Sequence, residues 1–224
     1  MTPPYRRGVT AALAAVAMSA CATASQQPAT AASPASRAPS DSAAVAGARA
    51  DSAGKPYTQA DIQFMSMMIA HHAQAIDIAR WAPTHGASAS LRVLSERVIN
   101  AQKDEIALMQ RWLRERQLPV PEASAAMPMG GGGHMHHMPG MLSAEQLAQL
   151  DQARDKEFDR LFLTFMIQHH SGAVTMVEEL FRSEGAALDD TVFKLASDIS
   201  ADQTTEIERM QQMLAGLMFG PQSP

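Results

Sequence analysis

The chain has 224 residues, a formal net charge of −5 and only 18% charged residues. No basic run occurs and 5% of residues are aromatic, which argues against a nucleic-acid partner. Cys21 is the only cysteine, so an internal disulfide and a cysteine-rich metal site are both excluded.

In chain order, Arg6 and Arg7 form a positive n-region before a short alanine-rich apolar stretch, Gly8 to Ala20. That stretch is too short for a mature transmembrane helix, and no later apolar run is long enough either. It ends in Met18-Ser19-Ala20-Cys21, which resembles a lipobox. Residues 1–21 are therefore expected to be a signal peptide, with Cys21 lipidated as a membrane anchor. Met18 stands where leucine is usual, so a plain secretory signal is the alternative. Residues 22–56 are rich in Ala, Ser, Pro and Thr and lack large apolar residues. Such a segment cannot offset its ordering entropy by burial, and reads as a disordered tether to an exported domain.

Residues 57–218 read as one all-α domain. A first helix is predicted over about 58–81, with Thr58 as N-cap, Asp61 three residues on and Pro83 past its end. A second runs over about 88–117 and stops before Pro119 and Pro121. A linker occupies 118–142. Ser143-Ala144-Glu145-Gln146 resembles a capping box and opens a short helix. A third long helix is predicted over about 155–183 and a fourth from Asp189 or Asp190 to about Leu217.

An internal repeat runs through these helices. Met68-Ile69-Ala70-His71-His72-Ala73-Gln74-Ala75 returns 98 positions later as Met166-Ile167-Gln168-His169-His170-Ser171-Gly172-Ala173. Gln102-x-x-Glu105-Ile106 returns as Gln203-x-x-Glu206-Ile207 at an offset of 101, which predicts extra residues in the second inter-helix loop. Two helical hairpins of this kind would pack as a four-helix bundle with approximate two-fold symmetry, since one alone leaves its apolar face uncovered.

On a helical wheel Gln63, Ser66, Ala70, Ala73 and Asp77 form a polar or small face of the first helix. His71 and His72 flank the apolar centre, and His169 and His170 repeat this. Imidazole and thioether are metal ligands, so His71, His72, His169 and His170, with Met68 and Met166, are candidates for a metal site. Glu105 and Glu206, beside Gln102 and Gln203, lie on apolar stripes of the second and fourth helices. A carboxylate there needs a partner. Each is placed to orient a doublet histidine or to bind metal directly. The competing reading makes the histidines core residues hydrogen-bonded to a carbonyl or glutamate, and the methionines packing.

The linker adds Met127, Met129, His134, Met135, His136, His137, Met138 and Met141 around four consecutive glycines. Thioether plus imidazole without thiolate suits Cu(I) and Ag(I) in an oxidising compartment. These residues are expected to form a flexible capture segment; the rival is a low-complexity connector.

Glu157-Phe158-Asp159-Arg160-Leu161-Phe162-Leu163-Thr164-Phe165-Met166-Ile167-Gln168-His169-His170-Ser171-Gly172-Ala173 resembles the signature of the domain of unknown function 305 family, and the likeness covers roughly residues 57–218. The first copy departs from the fuller pattern: it keeps Asp61 and Phe64, has no Phe-Asp pair, and has Met67 where the second has Phe165. The resemblance implies an exported, ferritin-like helical bundle and, as in some members, copper binding. A di-iron centre is not expected, because no Glu-x-x-His pair occurs. The sequence thus points to an extracytoplasmic metal-binding protein for copper sequestration or tolerance, handling Cu(I), with Cu(II) and Ag(I) as further ions and a metal-delivery protein as partner. A copper-dependent oxidoreductase and a non-metal structural or interaction lipoprotein are the alternatives.

Overall fold

The computed structural model describes residues 56–124 and 138–220. Five helices make up this part: α1 (Gln59–Ala79), α2 (Ala89–Glu115), α3 (Ala144–Gln152), α4 (Asp155–Arg182) and α5 (Asp190–Phe219). Among the described residues there is no strand, and no helix is long and apolar enough to cross a membrane. The signal segment, the tether and Cys21 lie outside the described residues.

The caps form as the residue types dictate. Thr58 and Asp61 make a reciprocal capping box at α1, and Ser143 and Gln146 make one at α3. Ser88 caps α2 and Asp189 caps α5. Each satisfies backbone donors that a helix start leaves open.

Helix α1 packs on α2, α4 packs on α5, and the two hairpins meet along α1 and α4. The core falls into two apolar clusters. One joins the first half of α1 to the second half of α4 and includes Phe64, Met65, Met68, Met109, Trp112 and Val192. The other joins the second half of α1 to the first half of α4 and includes Ile78, Leu94, Phe158, Phe162, Met166 and Met210. Helix α3 adds Leu150 to this second cluster, with Leu147 against it.

Two sequence expectations need correction. The small face of α1 is not free: from Met68 to Ala79 every residue except Asp77 is buried. Residues 138–142 cross that face, so α1 is covered on nearly all sides and behaves as a central helix. Nor does the second inter-helix loop hold the extra residues. Helix α1 ends seven residues past His72 and α4 ends twelve past His170, while nine residues link α1 to α2 and seven link α4 to α5. The insertion therefore lengthens α4. Pro83 occupies the position equivalent to Phe181 and prevents α1 from continuing as far.

Buried aspartates join the hairpins. Asp61 accepts the Ala187 backbone N–H at 2.7 Å from the α4–α5 loop. Its repeat counterpart Asp159 accepts the Ser88 N–H at 3.2 Å from the α1–α2 turn. Asp189 caps α5 through the N–H groups of Thr191 and Val192, accepts Trp112 Nε1–H at 3.2 Å and pairs with Arg116 at 2.5 Å. Asp189→Ala is expected to cost on the order of 3 kcal/mol, because it removes a cap and the carboxylate facing a buried guanidinium. Asp189→Asn, which keeps the oxygen but not the charge, should lose less. Urea unfolding of both variants checks the order.

Candidate metal centre

Halfway along α1 and α4, between the two apolar clusters, the histidine doublets face each other. All four imidazoles are fully buried. The His71 and His169 rings lie 3.9 Å apart, centroid to centroid, tilted by 39°. His72 stands 6.4 Å from His71 and His170 stands 6.3 Å from His169, each on its own helix.

Three of the rings are oriented through Nε2. His170 Nε2 bonds Glu206 Oε2 at 2.8 Å. His71 Nε2 lies 3.0 Å from the Pro139 carbonyl oxygen. His72 Nε2 lies 2.6 Å from Glu105 Oε2; the pair is too poorly aligned for a hydrogen bond, and both atoms count among the unsatisfied ones. A carboxylate oxygen that close to a bare nitrogen lone pair would be repelled, so the proton sits on Nε2 there too. The proton on Nε2 leaves Nδ1 as a lone pair, and Nδ1 has no protein partner in His71, His72 or His170. Neither nitrogen of His169 makes a well-aligned hydrogen bond, although the His71 backbone lies near its ring. A histidine that donates its outer N–H to a carboxylate or carbonyl and presents the other nitrogen bare is prepared as a metal ligand. The donor set therefore fits a metal that accepts imidazole nitrogen.

Charge favours the same state. Burial, reinforced by His72 and opposed by the Pro139 carbonyl, lowers the His71 pKa from 6.5 to about 3. Burial, then His71, His170 and His72, hold His169 well below the usual imidazole range. Both rings are neutral near neutral pH, as metal binding requires.

The other predicted residues fall into place unevenly. Met68 and Met166 are fully buried, one in each apolar cluster, on opposite sides of the imidazole layer. Gln102 and Gln203 are buried beside Glu105 and Glu206, at a cleft between α2 and α5. Met127, Met129, His134, Met135, His136 and His137 lie outside the described residues. Met138 is buried and Met141 half-buried, so these two do not belong to a free arm. Among the described residues, no group of three or more His, Cys, Asp or Glu side chains stands ready to hold one ion; the four imidazoles surround the centre without converging on a point.

Sequence reasoning missed the clamp on residues 138–142. The Gln74 side chain bonds the Leu142 backbone twice, donating Nε2–H to its carbonyl at 3.2 Å and accepting its N–H at 2.8 Å. At the equivalent place in the second repeat stands Gly172, where an added Cβ would lie 2.0 Å from the Pro139 oxygen. The segment thus crosses both helices at the doublets and supplies the His71 partner. The signal was present: Gln74 against Gly172 is one of three positions at which this stretch of the repeats differs, with Ala70 against Gln168 and Ala73 against Ser171. Also missed was Asp202, whose carboxyl pKa is raised by partial burial and then by Glu105, Glu206 and Asp198. Its counterpart in the first repeat is Ala101.

The sequence profile of the family described as Domain of unknown function (DUF305) matches residues 61–214. The chain belongs to this family. A DUF305 fragment from Deinococcus radiodurans is 29% identical, with a TM-score of 0.60 over 71% of this chain and 98% of its own. CopM in its Cu(II)-bound form is 32% identical, with a TM-score of 0.55 over 70% of this chain and 96% of its own. CopM in its Cu(I)-bound form is 30% identical, with a TM-score of 0.54 over 74% of this chain and all of its own. No curated protein matches the chain significantly.

Two outcomes follow. Gly172→Ala in an ordinary helix would gain roughly 1 kcal/mol, but here the methyl group meets the Pro139 carbonyl, and overpacking of about 1–3 kcal/mol wins. Thermal melting should show net destabilisation, and hydrogen exchange should show faster exchange at Leu142. For the metal-free protein, the lowered pKa values of His71 and His169 mean that the unfolded chain binds protons the native state refuses. Stability should therefore fall as pH drops below about 6.5, by roughly 1.4 kcal/mol per pH unit for each group. Unfolding free energies between neutral and mildly acid pH check the slope, which should flatten in His169→Asn.

Proposed function

We propose that the protein is an exported copper-binding protein that captures Cu(I), and secondarily Cu(II) or Ag(I), for sequestration or tolerance. The observation that carries this reading is the preparation of the buried imidazoles. His71 and His170 present an unpartnered Nδ1 while Nε2 is held by Pro139 or Glu206, and His72 does so with Nε2 close against Glu105, in a chain related to a protein solved with copper bound. The ligands would be His71, His72, His169 and His170, with Met68 and Met166 moving inward from the adjoining clusters. Glu105 and Glu206 would fix ring orientation and accept the charge of the bound ion. Soft thioethers on Met127, Met129 and Met135, with His134, His136 and His137, would gather the ion before transfer inward. A lipid on Cys21 would hold the domain at a membrane surface.

The test is an anaerobic Cu(I) competition titration against a chromophoric chelator. The wild-type chain should bind tightly, and a variant with all four doublet histidines changed to alanine should weaken at least about tenfold, or roughly 1.4 kcal/mol. Because four buried changes threaten folding, His72→Gln with His170→Gln serves as a milder companion, with circular dichroism confirming the fold. Removal of residues 127–137 should lower stoichiometry and leave the tighter site. Equal Cu(I) affinity in folded histidine variants and wild type would move the site out of the bundle.

A further inference from the structure

One end of the bundle carries an exposed apolar group. Phe181 in the last turn of α4 is 43% exposed, Leu188 in the α4–α5 loop 61% and Phe193 in the first turn of α5 56%. The Phe181 and Phe193 rings lie 5.8 Å apart. Leu188 and Phe193 flank the Asp189 cap at the two positions where apolar side chains clasp a helix start. Such a clasp accounts for their nearness, not for the half of each that still faces water. The cations alongside, Arg182 and Lys194, pair with Glu178 and Asp198 on their own helices. The group therefore offers apolar contact without a basic field.

The chain enters the bundle at this same end. Tyr57, itself 38% exposed, packs edge-on against Trp112, which bonds Asp189. Asp61, one turn into α1, holds the backbone of Ala187. Upstream lie residues 22–56, which read as a tether, and Cys21. A coil of that length spans roughly 30–35 Å on average. A lipid on Cys21 would thus present this end to a bilayer at high effective concentration, where a weak contact is enough to orient the domain. A second copy of the chain is a poorer occupant. The four side chains together expose on the order of 400 Å², about half of the roughly 800 Å² that each partner buries in a stable complex. The other exposed apolar group, Leu217, Met218 and Phe219, ends α5. It lies roughly 40 Å from Phe193 along that helix, away from the point of entry.

We propose that Tyr57, Phe181, Leu188 and Phe193 form a surface that rests on a zwitterionic lipid bilayer and docks the bundle by this end. This docking rests on the lipid anchor at Cys21 proposed above. For the test, the full chain is coupled through its only thiol, Cys21, to a maleimide lipid in phosphatidylcholine vesicles, which supplies the attachment whether or not the cell does. Leu188→Trp reports this end and Leu217→Trp the other, with the parent chain as baseline for Trp81 and Trp112. Brominated phosphatidylcholine should quench the added fluorescence of Leu188→Trp and spare that of Leu217→Trp. Phe181→Ser with Phe193→Ser should abolish the quenching in Leu188→Trp, and Phe193→Ser alone should reduce it, with circular dichroism confirming the fold. Equal quenching at the two ends, no quenching at either, or quenching that survives the paired serines in a folded chain overturns the proposal. So does a dimer in solution, lost with the paired serines, in a chain whose Leu188→Trp is not quenched on vesicles. Cys21 recovered without lipid from the native host, while Leu188→Trp is quenched on vesicles, sinks the anchor reading and supports the lipid-facing surface.

Discussion

Four imidazoles, two amides and two carboxylates are packed across the middle of the helical bundle. Burying such groups is unfavourable unless each finds a partner, and several nitrogens here do not. The rest of the architecture is arranged around this cost. Two apolar clusters lie on either side of the layer. Buried aspartates tie each hairpin to a loop of the other, and residues 138–142 are fastened across the doublets by Gln74 and by the absence of a side chain at Gly172.

The two halves share a plan but are not equivalent at the centre. His72 with Glu105 and His170 with Glu206 are true counterparts. His71 and His169 are not, because Pro139 reaches only His71. Desolvation keeps both rings neutral, yet His71 has a fixed proton while neither nitrogen of His169 makes a well-aligned hydrogen bond. An internal repeat thus folds into a centre whose paired histidines differ in their surroundings. The difference comes from one crossing segment and not from the doublets themselves. Asp202 breaks the symmetry a second time, on the solvent side.

Membership in the DUF305 family, and likeness to a protein crystallised with both Cu(I) and Cu(II), accord with a layer in which outer N–H groups are held and inner lone pairs are open. A layer that costs folding free energy without metal is one that a native-state ligand can stabilise by mass action.

Local rules in the sequence were enough for the helices, the caps at Thr58 and Ser143, and the pairing of hairpins, because capping chemistry and apolar periodicity act over a few residues. The repeat also marked the histidines, Gln102, Gln203, Glu105 and Glu206 as one set, since equal spacing on equal helices puts side chains on equal faces. What spacing cannot carry is contact between distant segments. That His71 meets His169 and Pro139, that Asp61 and Asp159 reach across to loops of the other hairpin, that Met68 and Met166 lie in opposite clusters, and that Met138 is buried were settled only by the antiparallel packing of α1 on α4 and the crossing of residues 138–142. The physical reason is range: a helix cap is satisfied within one turn of its own chain, whereas a buried imidazole is satisfied, or left bare, by whatever the tertiary fold brings against it.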